Sequence, residues 1–206
     1  MYSSSTTSAS TPISSGIAEP RAAGDERRFW HALLMTHSQN LPNDEVLACL
    51  LASHLTGLGA LPPSLGLGAE DFRRLMVRHF PGAELPARIF DQGHPVDREA
   101  ERDELIRLML AYRAGVDASE AWIARIVAAG CMAADHLWQD LGLWSRLDLT
   151  EMLRRNFPAL AARNDRDMKW KKFLYKQLCM EEGIYTCRAP SCEVCADYAD
   201  CFGPED

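Results

Sequence analysis

The sequence has no run of apolar residues long enough to cross a membrane, and it has little that would form a β-sheet. A membrane-spanning helix needs about eighteen or more consecutive apolar residues, and the longest apolar stretches here are broken by His54, Arg125 or Gly130. No segment alternates apolar and polar residues as a half-buried strand does, and valine and isoleucine are sparse. These absences argue against a membrane protein and predict an all-α fold.

A positive net charge and a signal peptide are also missing. The formal net charge is -7 at pH 7, whereas a general nucleic-acid binder needs a basic face that displaces counterions from phosphates. The first twenty residues contain neither the basic nor the apolar region of a signal peptide. We therefore expect no nucleic-acid partner and a reducing cytoplasmic location, where thiols stay free to bind metal.

Motifs that would indicate an enzyme are absent as well. The sequence contains no glycine-rich phosphate-binding loop, no nucleophile elbow and no H-E-x-x-H pair. A hydrolase or a nucleotide-dependent enzyme therefore has little support. We expect a protein that binds or carries its ligand without turning over an organic substrate.

The chain of 206 residues is long enough for one domain with a sizeable core. Residues 1–22 are rich in serine, threonine and alanine and predict a disordered tail. Residues 23–206 predict a single helical domain, in which Asn43 and Ser119 are candidate helix caps. Apolar spacing and glycine or proline breaks predict helices over residues 43–58, 70–80, 97–112, 119–131 and 149–156, and a last helix that carries the basic stretch 163–176 and continues to Cys179.

Four of the seven cysteines form a C-terminal C-x4-C-x2-C-x5-C pattern. They are Cys187, Cys192, Cys195 and Cys201, and they define a loop over residues 187–201. Structural zinc sites usually use two C-x2-C pairs, and only one such pair is present here. The C-x4-C-x2-C run is typical of one group of iron-sulfur proteins. The spacing therefore favours an iron-sulfur cluster and leaves structural zinc open, while disulfides do not suit a reducing compartment.

A basic stretch precedes the cysteine loop. Six basic residues lie between positions 163 and 176 against two acidic ones, and Trp170, Phe173 and Leu174 share one face of the predicted helix. Simple solvation explains most lysine-rich helix faces. The alternative is a surface for an oxyanion or a partner protein, for which the candidate residues are Arg166, Lys169, Lys171 and Lys172.

Three further residues are second-tier candidates for metal ligands. Cys131 and His136 lie five residues apart in the segment CMAADHLWQDLG, and Cys179 precedes the loop on the same predicted helix as the lysines. A lone cysteine beside a histidine is more often part of the core or a helix cap. Cys49 lies among leucines and is expected to be a packing residue.

The C-terminal third of the chain resembles the NifQ family of nitrogen fixation. The resemblance rests on DMKWKKFLYKQLCMEEGIYTCRAPSCEVCADYADCFG, on HLWQDLGL before it, and on the cysteine pattern. It implies an iron-sulfur protein that processes molybdenum and donates it to assembly of the nitrogenase iron-molybdenum cofactor. The implied cofactors are an iron-sulfur cluster and molybdenum, held as a Mo-Fe-S unit by the four motif cysteines. The implied partners are the NifEN scaffold and NifH.

The two halves of this segment suit the chemistry of molybdenum. Molybdate is an oxyanion that positive charge attracts, whereas its processed form requires soft sulfur ligands. The resemblance and the charge pattern together predict that the basic stretch attracts molybdate or an acidic partner, and that the cysteine loop holds the cluster. A helical adaptor with structural zinc and a small electron-transfer iron-sulfur protein remain the alternatives.

Overall fold

The computed structural model describes residues 23–90, 98–181, 183, 198–203 and 205. The predicted tail over residues 1–22 lies outside this part of the chain. Within it the fold is all-α, because the regular elements are helices, with short 3₁₀ turns at Pro63–Gly66 and Ala87–Phe90. The helices are α1 Ala23–Thr36, α2 Asp44–Leu55, α3 Ala69–His79, α4 Glu99–Ala111, α5 Glu120–Cys131, α6 Leu137–Leu141, α7 Arg146–Asn156, α8 Pro158–Ala161, α9 Trp170–Glu181 and α10 Tyr198–Phe202.

One apolar core holds these helices together. The helix α1 packs along α2, α4 packs along both α5 and α9, and α6 lies between α5 and α7. The helix α2 is buried on most of its surface, since nine of its side chains are inaccessible or nearly so. Large side chains that are fully buried include Leu47, Leu50, Phe72, Leu105 and Phe157. The core therefore draws on both halves of the chain, as one domain does.

Apolar periodicity predicted several helices close to their observed positions. The helix predicted over 97–112 is α4, and Leu105, Leu108 and Met109 of its apolar stripe are buried. The basic stretch was predicted wrongly as one helix over residues 163–176. Helix α9 begins only at Trp170, because the chain first makes turns after α8 and Asp167 has a positive φ of 54°. Arg166 consequently precedes the helix that carries the lysines.

Neither predicted cap closes its helix through its side chain. Asn43 Nδ2 donates to Ser119 Oγ at 2.8 Å and to Asn156 Oδ1 at 2.7 Å, so these side chains form a buried polar cluster between α2, α5 and α7. The turn before α5 is instead closed by Glu120, whose carboxylate accepts the backbone N–H groups of residues 115–117. The side chains of the two predicted caps thus satisfy their hydrogen-bonding groups within this buried cluster, where an unpaired amide would be costly.

A second buried polar contact joins α2 to α3. The carboxylate of Asp44 lies 2.6 Å from His79 Nδ1, and it also accepts hydrogen bonds from Ser38 Oγ and the backbone N–H of Leu41. Burial alone would raise the pKa of Asp44, but the hydrogen bonds from Ser38, His79 and Leu41 outweigh it and lower the pKa. An ionised carboxylate is therefore part of the folded core.

Two glycines allow α6 to approach the end of α2 closely. Gly142 has a φ of +73° at the end of α6, and a Cβ there would lie 2.7 Å from Ser53 Cβ. The carbonyl of Gly142 accepts hydrogen bonds from Ser53 Oγ and from Arg27 Nη2. Gly59, with a φ of +84°, leaves equally little room against the backbone of Asp140. This contact positions α6, which forms one wall of the site described next.

No helix in the described ranges is long and apolar enough to cross a membrane.

Candidate metal centre

The structure describes one of the four motif cysteines. Cys187, Cys192 and Cys195 lie outside the described residues, whereas Cys201 lies on the short helix α10 and is partly buried. Its carbonyl oxygen accepts the backbone N–H of Lys169 at 2.7 Å. Because Lys169 immediately precedes α9, this bond places the last cysteine of the motif at the start of the lysine-bearing helix.

Side chains from α7 and from the turn before α9 hold the C-terminal segment in place. The guanidinium of Arg166 lies over the Phe202 ring, 5.6 Å from its centroid. Arg146, at the start of α7, forms ion pairs with Glu205 at 3.2 Å and with Asp167 at 2.7 Å. The Glu205 side chain is only 4% exposed. Arg166, like Lys169, therefore contacts the segment that carries Cys201.

A cavity of about 300 Å³ lies beside this docked segment. A water molecule in the liquid occupies roughly 30 Å³, so the cavity has room for a small oxyanion and its first waters. Helix α9 and the start of α6 form its walls, and Asp200 of α10 and Glu205 also line it. The charged and imidazole side chains that line it are Asp135, His136, Lys169, Lys171, Lys172, Asp200 and Glu205.

Lys171 has a structural partner in this wall. Its ammonium group ion-pairs with Asp140 and donates a second hydrogen bond to the carbonyl oxygen of Ala133 at 2.9 Å. The Lys171 side chain is 17% exposed, and that of Asp140 is 2% exposed. The pair joins α9 to α6, and the positive charge of Lys171 is largely balanced within the protein. Asp140 has no special sequence spacing to Lys171, so the sequence did not indicate this pairing.

The remaining charges of the cavity are mixed rather than uniformly basic. Lys169 and Lys172 form no ion pair with a side chain in the described part of the chain, and Lys172 is exposed. Asp135 and Asp200 are exposed carboxylates that also line the cavity. Among the described residues, an anion in the cavity would thus meet two available ammonium groups together with two exposed carboxylates.

The second-tier residues have different surroundings. His136 lines the cavity and precedes α6, where its backbone N–H donates to Gln139 Oε1 at 3.3 Å. Cys131 lies in the core at the end of α5 and does not line the cavity. Burial raises the pKa of the Cys131 thiol to about 12, which favours packing over ligation. Cys179 is half-buried on α9.

The segment that carries the cysteine motif and the cavity matches a known protein family. The family described as NifQ matches residues 46–203, a range that includes all four motif cysteines and the cavity-lining lysines. This range is well over half of the chain. The chain belongs to the NifQ family.

Three curated NifQ proteins show the extent of the similarity. Protein NifQ of Azotobacter vinelandii is 44% identical over 167 residues, which cover 76% of this chain and 86% of that protein. Protein NifQ of Rhodobacter capsulatus is 41% identical, covering 78% of this chain and 90% of its own. Protein NifQ of Klebsiella pneumoniae is 36% identical, and the match covers 71% of this chain and 90% of that protein. No solved structure matches the chain.

The NifQ assignment confirms the family resemblance seen in the sequence. It is consistent with a role in the biosynthesis of the nitrogenase iron-molybdenum cofactor. The roles of the four cysteines and of the basic residues remain predictions, which the geometry of the NifQ cavity makes more specific.

Proposed function

We propose that this NifQ protein is a cytoplasmic molybdenum carrier that takes up molybdenum as molybdate and donates it to iron-molybdenum cofactor assembly. Cys187, Cys192, Cys195 and Cys201 would hold an iron-sulfur cluster that accepts the molybdenum, and NifEN and NifH would be the receiving partners. The observation that carries the proposal is the bond between Lys169 N–H and the Cys201 carbonyl. It supports the proposal because it holds the last cysteine residue of the motif against Lys169, whose side chain lines a cavity with room for an oxyanion.

The donor set suits the proposed cluster. Thiolates are the usual ligands of iron-sulfur clusters and bind soft metals well. When bound, such a cluster supplies the sulfur ligands that processed molybdenum needs. The described part of the chain fixes the position of one proposed ligand residue, since Cys201 is held by the start of α9 and by the contacts of Arg166 and Arg146 with the residues that follow it.

The charges of the cavity would govern the first contact with molybdate. Lys169 and Lys172 attract an anion, whereas Asp135 and Asp200 oppose it. We therefore expect weak binding that falls with rising salt, because exposed charges are screened over about 10 Å at 0.1 M. Weak capture suits a carrier, which must release what it receives.

The motif cysteines are tested by metal and sulfide quantitation on protein purified without oxygen. The proposal predicts iron, acid-labile sulfide and molybdenum, and loss of all three in each single Cys→Ala variant of the four. A variant that keeps a normal cluster would remove its residue from the ligand set. One zinc per chain without sulfide would establish the structural-zinc alternative, and iron without molybdenum would favour electron transfer.

The cavity is tested by making its net charge more negative in one pair of substitutions and more positive in another. Lys169→Gln with Lys172→Gln should reduce molybdate uptake several-fold and leave the iron content unchanged. Asp135→Asn with Asp200→Asn should increase uptake, since opposing carboxylates are removed. Lys176→Gln is the matched control, because Lys176 is exposed on α9, as Lys172 is, but does not line the cavity.

These variants separate a specific site from a general charge effect. Equal losses with Lys176→Gln and with the cavity pair would contradict a role for the cavity. Unchanged uptake in both charge-altered pairs would contradict oxyanion attraction altogether and leave partner docking as the interpretation of the lysines.

A further inference from the structure

A second group of possible metal ligands lies between α1 and α2, away from the cysteine loop. It consists of His31 on α1 with Glu45 and Cys49 on α2, and the three ligating atoms lie within 4.8 Å of one another. Glu45 and Cys49 are four residues apart, so the helix places both side chains on one face. The packing of α1 along α2 brings His31 to that face. Two packed helices therefore set the positions of all three residues.

The imidazole of His31 is held in place but lacks a complete set of partners. Its ring packs against Trp144 with the centroids 5.2 Å apart, and its side chain is 17% exposed. Nε2 is shielded from water and lies 3.1 Å from a Glu45 carboxylate oxygen, but it is not directed so as to form a hydrogen bond. A shielded nitrogen without a hydrogen bond is costly, and a bound cation would satisfy it.

The surroundings of the three residues favour a cation. A cavity of about 180 Å³ adjoins Glu45 and Cys49, and it is also lined by Asp148, Glu151 and the basic side chain of Arg155. The carboxylates of Glu45, Asp148 and Glu151 would attract a cation, and the guanidinium groups of Arg27 and Arg155 oppose it.

We propose that His31, Glu45 and Cys49 bind a divalent first-row transition metal ion such as Zn²⁺. Nitrogen, sulfur and carboxylate oxygen form a donor set that suits Zn²⁺, whereas Mg²⁺ and Ca²⁺ prefer oxygen alone. Bonds of about 2.0–2.3 Å place tetrahedral ligands roughly 3.5 Å apart. Donor atoms that lie within 4.8 Å of one another can reach this spacing by side-chain adjustments of about 1 Å.

Three protein ligands leave one coordination position open. Zinc sites with three protein ligands commonly bind water or another small ligand in the fourth position, and the adjoining cavity provides space for one. His31 and Glu45 precede residues 46–203, the range that matches the NifQ family. The proposed ion would join α1 to α2, and its role is separate from molybdenum transfer by the cysteine loop.

Cobalt titration can test this site, because thiolate ligation of Co²⁺ gives an intense charge-transfer absorption. The test uses the full chain with the four loop cysteines changed to serine, so that the loop does not contribute. One equivalent of Co²⁺ should give the absorption, and Zn²⁺ should abolish it by competition. Cys49→Ser should remove the absorption, and His31→Gln should weaken Co²⁺ binding at least about tenfold.

Two variants guard against effects on folding. Glu45 is largely exposed, so Glu45→Gln should keep the helical circular dichroism while weakening Co²⁺ binding about tenfold. Cys179→Ser, at another half-buried helical cysteine, should change nothing. In the chain with an intact loop, Cys49→Ser should lower the bound Co²⁺ by one equivalent. The proposal is overturned if the absorption is absent in the loop variant, persists in Cys49→Ser, or depends equally on Cys179.

Discussion

Replacing Lys171 with methionine should destabilise the protein far more than the same change at its neighbour Lys172. Methionine keeps most of the apolar stem of lysine but removes the charge that balances Asp140. Removal of one partner from a buried ion pair costs about 3–5 kcal/mol, because the other charge stays buried without compensation. The Lys171 side chain retains 17% exposure, so water can reach the site, and we expect the lower end, about 3 kcal/mol.

Urea denaturation and thermal denaturation, both followed by far-ultraviolet circular dichroism, measure this difference in stability directly. For a chain of this size each kcal/mol shifts the melting temperature by about 2–4 °C, so Lys171→Met should melt roughly 6–12 °C lower. Lys172→Met is the control, because Lys172 is exposed and surface changes usually stay within about 0.5 kcal/mol. The double variant Lys171→Met with Asp140→Asn should recover part of the loss, since the uncompensated charge is gone.

The reasoning fails if Lys171→Met costs less than about 1 kcal/mol, or if Lys172→Met costs as much. Either result would mean that the ion pair does not join α9 to α6 as the structure indicates. Lys171 would then return to the set of available cavity lysines, together with Lys169.

Two further predictions concern the core. The folded-state pKa of Asp44 is lowered, so its contribution to stability is present above the unfolded pKa of about 3.9 and is lost as pH falls through the folded pKa. The free energy of unfolding, measured between pH 2 and 7, should therefore depend less on pH in the Asp44→Asn variant. An unchanged pH dependence would contradict this. Gly142→Ala should cost about 2–4 kcal/mol in urea denaturation, because it combines a positive φ with a close contact to Ser53. Gly115→Ala, where φ is +74° and the space is open, should cost only about 1–2 kcal/mol, and equal losses would refute the steric part.

Local patterns in the sequence predicted the helices well where burial follows periodicity. The stripe of Leu105, Leu108 and Met109 is an example, since an apolar face can be buried only by packing it on a core. The start of α9 was missed because a turn in which Asp167 has a positive φ looks like a charged helical stretch in the sequence. Asn43 and Ser119 were predicted as caps because their chemistry suits that role, but long-range partners took both side chains.

The candidate site was predictable only in part. The cysteine spacing predicts four metal donors in a short segment without reference to the rest of the fold. The pairing of Lys171 with Asp140 and the docking of Glu205 on Arg146 depend on how distant helices meet. Cys49 was expected to be a packing residue and is indeed partly buried, yet its proximity to His31 and Glu45 became evident only when α1 was placed along α2.

The bond from Lys169 N–H to the Cys201 carbonyl also has a consequence for chain entropy. It connects the start of α9 to α10, so both ends of the intervening cysteine segment are attached to the folded body. The free energy needed to bring the ends of a loop together rises with its length, and folding supplies it before any metal binds. A metal that binds Cys201 with the other three cysteines would then not have to supply the free energy of joining the ends of this segment. Changes that release Glu205 from Arg146 should therefore weaken metal binding without altering any donor.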